Sequence, residues 1–475
     1  MPSDELAFAG LARHADLIAA GDVSARELTE LFLARIFRLD PVLNAFRAVF
    51  PERALAEADQ ADGRRGAGER RPLLGVPIAI KDDTDVGGTV TAYGCDVDPT
   101  PARADAEVVR RLRAAGAVIV GKTHVPELMA TPFTESPTFG VTRNPWDLRR
   151  TSGGSSGGSA TAVAAGLVSA ALGSDGAGSV RIPAACCSLF GLKPQRGRVP
   201  TAPDVNPFQG MTVLGPITRT AADAARFMDA VADRPLAKAS PGRLRVAVST
   251  GLPPTIAAHP DAEQLAGVTR VGEALRDAGH EVVERDFDWG TAIGNRVLAR
   301  FLRGTADKAA EVGHPERLSR RTRGLVRIGR AIPARVAAAA GRAAAADAQR
   351  LNAIFEEVDL VLTPMFTRRP PRVREFEGRP GAVTLAGMIR FTPYPPAFNH
   401  TGQPAAAVPA GFADDGFPVG AQLVGPPDSE PLLLAVAAQL EAVRDWGSRR
   451  PGIGATTSPV STGTPVSARP RGAEV

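Results

Sequence analysis

At 475 residues the chain is long enough for one large domain or two to three ordinary ones, and 44% hydrophobic content supports a sizeable core. Aromatic residues make up only 5%, so Ala, Val and Leu must do most of the packing. A net charge of +5, not gathered into a Lys/Arg block, argues against a dedicated nucleic-acid binder, and nothing in the composition is fibrous or globally disordered.

The N-terminal stretch MPSDELAFAGLARHADL lacks the basic-then-apolar layout of a signal peptide. The apolar part of the uncharged run, 159–173, is too short and too rich in Gly and Ser to span a membrane. A cytoplasmic protein is therefore expected. Residues 5–37 read as two helices; Ser24 and Glu27 form a capping box for the second, whose apolar Leu28, Leu31, Phe32 and Ile36 repeat at helical spacing. From about residue 73 short apolar runs (76–80, 117–120, 244–248, 281–283, 360–362) alternate with amphipathic helices at 105–115, 261–278 and 428–442. That alternation marks an α/β sheet covered on both faces. Residues 290–350 read as mostly helical and rich in Arg and Ala, with nine arginines from Arg317 to Arg350. A solvated outer face on a covering insert explains them, because long Arg stems lie along Ala-rich stripes. Beyond about Gly447 the sequence has almost nothing to bury, so a disordered tail is expected. Cys95, Cys186 and Cys187 are an odd count with an adjacent pair, which is no disulfide framework, and no Cys/His cluster suggests a metal.

Two motifs are weighed and set aside. Gly116 to Thr123 satisfies GxxxxGK[ST], but a helix precedes it and its variable residues Ala-Val-Ile-Val are themselves a strand, not a flexible phosphate cradle. Gly154-Ser155-Ser156-Gly157-Gly158 satisfies GxSxG, the nucleophile elbow of an esterase-type α/β-hydrolase. That elbow needs an apolar strand leading into the serine, and a polar proline-containing loop, 143–150, precedes it. Downstream histidines (His259, His280, His314, His400) keep that alternative open.

A third constellation joins segments the first two leave unexplained. Only five of the 56 basic residues are lysine, and one of them, Lys81, ends the apolar run Gly75-Val-Pro-Ile-Ala-Ile. Desolvation at a strand end lowers a lysine's pKa, the condition for a lysine base. The loop 151–159 (TSGGSSGGS) frees its backbone through glycine. Ser179 follows in Gly173-Ser-Asp175-Gly176-Ala177-Gly178-Ser179-Val-Arg181, where a tight turn lets backbone N–H groups converge on one point. A serine lying between lysine and nucleophile is able to relay a proton, since a hydroxyl both donates and accepts.

With these motifs the chain resembles the amidase-signature hydrolases over roughly residues 5–445. The likeness extends through Gly121-Lys-Thr-His-Val-Pro-Glu127, Gly191-Leu-Lys-Pro194, Gly215-Pro216, Asn399-His-Thr-Gly-Gln-Pro404 and Gly416 to Gln422. It implies Ser179 as acyl-forming nucleophile, Ser155 as bridging serine with a cis peptide before it, and Lys81 as base. It implies an oxyanion hole from the N–H groups of Gly176, Ala177, Gly178 and Ser179, with Ser156 supporting the network and Asp175 and Arg181 holding the turn. Ala177 stands where glycine is the commonest family choice, so φ < 0 is expected there; His124 stands where asparagine is frequent. Met129, Thr131 and Phe133 are expected to line the pocket.

The fold expected is a single amidase-signature α/β domain, a mixed twisted sheet covered by helices on both faces. A helical arm is expected over 1–62, the domain over 63–446 with the insert 290–350 covering the site, and the tail over 447–475. The expected reaction is hydrolysis of a carboxylic amide C–N bond, favouring a small apolar or aryl amide; esters, carbamates and cyclic amides are open to the same chemistry. No metal or organic cofactor is expected. The expected partner is a small-molecule amide, with a homodimer as the only assembly in view, and neither nucleic acid nor membrane. The alternatives are an amidotransferase subunit working with partners on aminoacylated transfer RNA and a catalytically dead binding protein of this fold. Ile182 counts against the first, because that branch usually has glutamine after the arginine.

Overall fold

The computed structural model describes residues 2–98, 100–237 and 239–453. Eleven strands form one sheet: β1 (Phe46–Val49), β2 (Pro77–Lys81), β3 (Val118–Thr123), β4 (Ala170–Asp175), β5 (Phe190–Lys193), β6 (Val213–Thr218), β7 (Arg245–Val248), β8 (Glu281–Glu284), β9 (Leu360–Pro364), β10 (Ala405–Phe412) and β11 (Pro418–Val424). Their spatial order is β1-β3-β2-β4-β6-β5-β10-β11-β9-β7-β8. The sheet is mixed. β2 runs parallel to both β3 and β4, and β7 runs parallel to β8 and β9, while the centre from β4 to β11 is antiparallel. Helices cover both faces, as the alternation of apolar runs and amphipathic segments requires.

The expected strands and helices at 76–80, 117–120, 360–362, 261–278 and 428–442 are present within a few residues. Ser24 and Glu27 do form a capping box, at the start of the Ala25–Leu43 helix. Five central strands, β4, β5, β6, β10 and β11, escaped the sequence pattern because glycine or proline interrupts each of them. In β6, Val-Leu-Gly-Pro-Ile-Thr, Gly215 lies against the backbone of β5; a Cβ there would sit 2.1 Å from the Leu192 carbonyl oxygen. The N-terminal region is less of an arm than the sequence suggests. Helices Leu11–Ala20, Ala25–Leu43 and Pro51–Gly66 contribute Leu11, Leu28, Phe32 and Ala58 to the main core, and β1 adds an edge strand against β3.

The insert is three helices, Ile293–Val312, Arg320–Ala331 and Ala334–Asn352. Most of its arginines are exposed, as expected, but Arg321 is buried: it donates to Glu135 Oε2 at 2.9 Å and lies over the Phe133 ring. The tail expected from Gly447 is described only to Ile453, and that stretch lies on the fold, with Pro451 buried and Arg449 over the Phe412 ring. Residues 454–475 lie outside the described residues. Among the described residues no helix is long and apolar enough to cross a membrane, and all three cysteines are buried free thiols.

Candidate active site

β2 and β4 are parallel neighbours, with Ile80 opposite Leu172, so the ends of both strands open on the same edge of the sheet. This is the crevice where open α/β sheets hold ligands. Lys81 is the last residue of β2, and Ser174 and Asp175 end β4. Between them runs the Gly/Ser loop, which enters the helix Gly157–Ala164 and carries a cis peptide bond between Gly154 and Ser155.

Lys81 is completely buried and points its ammonium into this junction. Nζ donates to Ser155 Oγ at 2.8 Å, to Ser174 Oγ at 2.7 Å and to the Ser174 carbonyl at 3.2 Å, and lies 3.3 Å from Asp83 Oδ2. Ser174 Oγ in turn donates to Asp83 Oδ2. Burial pushes the Lys81 pKa down, and the charges of Asp83 and Asp175 pull against that without cancelling it. The lysine therefore holds its proton less tightly than a solvated one.

Ser179 sits half-buried in the turn that follows β4. The turn is held from behind by the buried pair Asp175–Arg181, with Arg181 Nε 2.9 Å from Asp175 Oδ2. Asp175 also accepts from the backbone N–H of Gly178 (2.6 Å) and Val180 (3.2 Å) and from Asn399 Nδ2 (2.8 Å). Arg181 reaches on to Gln422 Oε1 (2.5 Å), Asn399 Oδ1 (2.6 Å) and the Pro395 carbonyl (3.0 Å). Burial alone would raise the Asp175 carboxyl; Arg181, Lys193 and Asn399 outweigh it and hold the group well below the usual carboxylate range.

Gly178 has φ +113°, and a Cβ there would meet Ile182 and Pro395 at 2.7 Å, so only glycine fits. Ala177 is not among the left-handed residues, as expected from its Cβ. Because Gly178 N–H is taken by Asp175, the N–H groups of this turn that find no partner among the described residues are those of Gly176, Ala177 and Ser179. Ser156 N–H donates to the Ser179 carbonyl at 3.2 Å, and its hydroxyl donates to the Ser174 carbonyl at 3.3 Å, tying the loop to the turn. The Ser179 hydroxyl makes no hydrogen bond among the described residues; it faces a cavity that Ser155 also lines.

Met129 and Thr131 line a second cavity at Ser179, but Phe133 does not. Its ring is stacked on Phe376 and covered by Arg321, which places it behind the wall. Sequence reasoning missed Asp83, Ser174, Asn399 and Gln422. Asp83 lies just past β2, in a turn closed by the Thr84 N–H donating to the Lys81 carbonyl (3.1 Å), and that turn, not strand alternation, brings it beside Lys81. The two set-aside motifs are structural here. Lys122, one residue before the end of β3, is a buried partner of Asp82 at 2.9 Å, and among the described residues Ser156 has no histidine partner; His400 is bonded instead to Asp347 and Arg300.

A family profile described as Amidase matches residues 27–434. A Mycobacterium tuberculosis protein named AmiB2 is 50% identical over 461 residues, spanning 95% of this chain and all of that one. The 6-aminohexanoate-cyclic-dimer hydrolase of Paenarthrobacter ureafaciens is 35% identical over 490 residues, covering 92% of this chain and 95% of its own. A solved structure of 6-aminohexanoate cyclic dimer hydrolase superposes with a TM-score of 0.85 at 32% identity, over 94% of this chain and 99% of that one.

Proposed function

This chain belongs to the amidase-signature family and is a hydrolase of carbon–nitrogen bonds, and we propose that it cleaves carboxylic amides through an acyl-enzyme on Ser179, with Ser155 and Lys81 as proton relay and base. The observation that carries this reading is the 2.8 Å contact between two fully buried groups, Lys81 Nζ and Ser155 Oγ, beside a turn with unpartnered N–H groups. Desolvation supplies what a lysine base needs, an ammonium that gives up its proton more readily than a solvated one.

Ser179 Oγ attacks the carbonyl carbon; its proton passes to Ser155 Oγ while the Ser155 proton passes to Lys81 Nζ. The last link closes by rotation of the Ser179 hydroxyl, which nothing else holds. The oxyanion forms where the N–H groups of Gly176, Ala177 and Ser179 converge, with Gly178 shaping the turn rather than donating. Collapse breaks the C–N bond, and the leaving nitrogen takes a proton back through Ser155. Water then repeats the sequence in reverse and frees the acid. Asp175, Arg181 and Ser156 are positioning residues for the turn and loop.

The apolar lining beside Ser179 favours small apolar or aryl acyl groups. The purified chain, assayed without partners on a panel of aryl and alkyl amides, should release amine, and hydroxylamine present during turnover should divert the acyl group to a hydroxamate. Amine release that requires a partner protein and aminoacylated transfer RNA would favour an amidotransferase subunit. Failure to process any amide or activated ester would overturn the reading.

A further inference from the structure

Two chambers meet at Ser179. One, a cavity of about 160 Å³, is lined without a single charged side chain; Ile182, Ile256, Leu298, Leu385 and Met388 are among its walls. The other, of about 80 Å³, presents Asp83, Asp85, Asp204, Tyr93 and Lys308. Met129, Ala177, Ser179 and Phe301 line both. The two large side chains at this junction, Phe301 and Met129, are therefore where the chambers part.

Both are held by contacts that reach beyond the cavities. Phe301 lies on the Ile293–Val312 helix, its ring centroid 6.0 Å from that of Phe208. The Phe208 segment is clamped to the same helix by Gln209 Nε2 donating to Asp307 (2.6 Å) and by Arg300 donating to the Gln209 carbonyl (2.6 Å). Met129 and Leu128 both have left-handed backbone (φ 54° and 55°), rare for bulky side chains and kept only where the surroundings enforce it. The enforcement starts at Glu127, whose buried carboxylate accepts from Ser319 N–H (2.8 Å), from the Ser319 hydroxyl and from Thr322 Oγ1 (2.5 Å) at the head of the Arg320–Ala331 helix.

We propose that the two chambers divide the substrate at its scissile bond: the acyl group fills the apolar chamber, the amine fills the acidic one, and Phe301 with Met129 is the partition that sets specificity. This rests on Ser179 being the nucleophile and on the Ser155 relay. The assignment of halves follows from that proton path. Ser155 and Ser174, which lead to Lys81, open on the acidic chamber and not on the apolar one. The leaving nitrogen takes its proton from Ser155, so it lies on that side of the carbonyl carbon and the acyl chain lies on the other.

Charge then sets the substrate class. The acyl chamber offers no counter-ion, so a charged acyl group would be desolvated without compensation. In the amine chamber three carboxylates face one ammonium, and Lys308 Nζ is already engaged by Glu311 (2.5 Å) and Asp204 (3.6 Å). An amine that carries its own carboxylate, as in an N-acyl amino acid, meets repulsion there. The substrates are amides of uncharged apolar acids with neutral or cationic amines.

The test uses the full chain and a matched series: pentanamides of butylamine, of putrescine and of γ-aminobutyrate, and the succinamate of butylamine. The first two should be turned over with similar kcat/KM, and a carboxylate on either half should lower it about tenfold or more. Phe301→Ala should raise kcat/KM for dodecanoyl relative to pentanoyl amides by about tenfold, and Asp204→Asn should narrow the gap between the γ-aminobutyrate and butylamine amides. Rejection of the putrescine amide as strong as that of the γ-aminobutyrate amide would place the amine in the uncharged chamber and reverse the halves. An unchanged acyl-length profile in Phe301→Ala would remove the partition. Both results leave the Ser179 reading standing, whereas no turnover of any amide or of nitrophenyl pentanoate would sink both.

Discussion

Lys81 and Asp83, two residues apart at the end of β2, meet in a buried ion pair with 3.3 Å between Nζ and Oδ2. Both also touch Ser174, so base, carboxylate and hydroxyl form one small cluster behind Ser155. Burial drives the lysine toward its neutral form while Asp83 favours the ammonium. The balance between those two effects decides the pH at which the base becomes available.

Replacing Asp83 by Asn should move the rising limb of the kcat/KM profile to lower pH. The sign follows from the base acting only when neutral: activity appears as pH passes upward through the Lys81 pKa, and removing an anion that stabilises the ammonium lowers that pKa. A movement on the order of one pH unit is expected for a charge at this distance. A limb that stays in place, or moves up, would mean that Lys81 is not the titrating base.

Arg181→Ala should lower unfolding stability by about 3–5 kcal/mol, because it leaves the Asp175 carboxylate buried without its counter-charge. Arg181→Lys should not restore it, since one ammonium cannot span Asp175, Asn399, Gln422 and the Pro395 carbonyl together. Urea denaturation checks both; a loss under about 1 kcal/mol for the alanine variant would contradict a structural role for the pair.

Glu441 offers a stability test remote from the chemistry. Its carboxyl is pushed up to about 7, mainly by burial, with Asp223 and Asp445 adding to the effect and the Ala221 N–H opposing it. The unfolded group titrates near its ordinary value, about 4.3. Between those values the folded state binds more protons than the unfolded one, so wild-type stability falls as pH rises through that window. Glu441→Gln keeps an acceptor for Ala221 N–H without the charge. It should stabilise the protein at pH above 7 by about 1–2 kcal/mol, allowing for the partial exposure of the site, and the gain should vanish at low pH. A variant no more stable than wild type at high pH would contradict this.

The elements that were legible in the sequence are those with an unbroken period: β2, β3, β7, β8, β9, the capped helix after Ser24 and the helices Glu107–Ala114, Ala262–Asp277 and Glu430–Arg444. β4, β5 and β6 carry glycine or proline inside and read locally as turns; what makes them strands is their pairing across the sheet, which no short window contains. The same limit governs the site. Motif resemblance gathered Lys81, Ser155 and Ser179, but Ser174 joins them only because β2 and β4 run parallel. Phe301 had no signal at all, since its place depends on how the insert folds back over the turn. Phe133 was misplaced for a related reason: an aromatic two residues beyond Thr131 looks like pocket lining until Phe376 and Arg321 arrive from distant segments to enclose it.

The central claim is that Ser179, and neither Ser155 nor Ser156, carries the acyl group. The most direct measurement is peptide mapping by mass spectrometry after reaction with a fluorophosphonate, in wild type and in Ser179→Ala. Only the nucleophile holds its oxygen about 3 Å from the point where the reacting atom sits against the oxyanion donors. One adduct is expected, on the peptide containing Ser179, and none in Ser179→Ala, together with a loss of several orders of magnitude in kcat at an unchanged thermal midpoint. An adduct on Ser155 or Ser156, or amide turnover by Ser179→Ala within about tenfold of wild type, would contradict it.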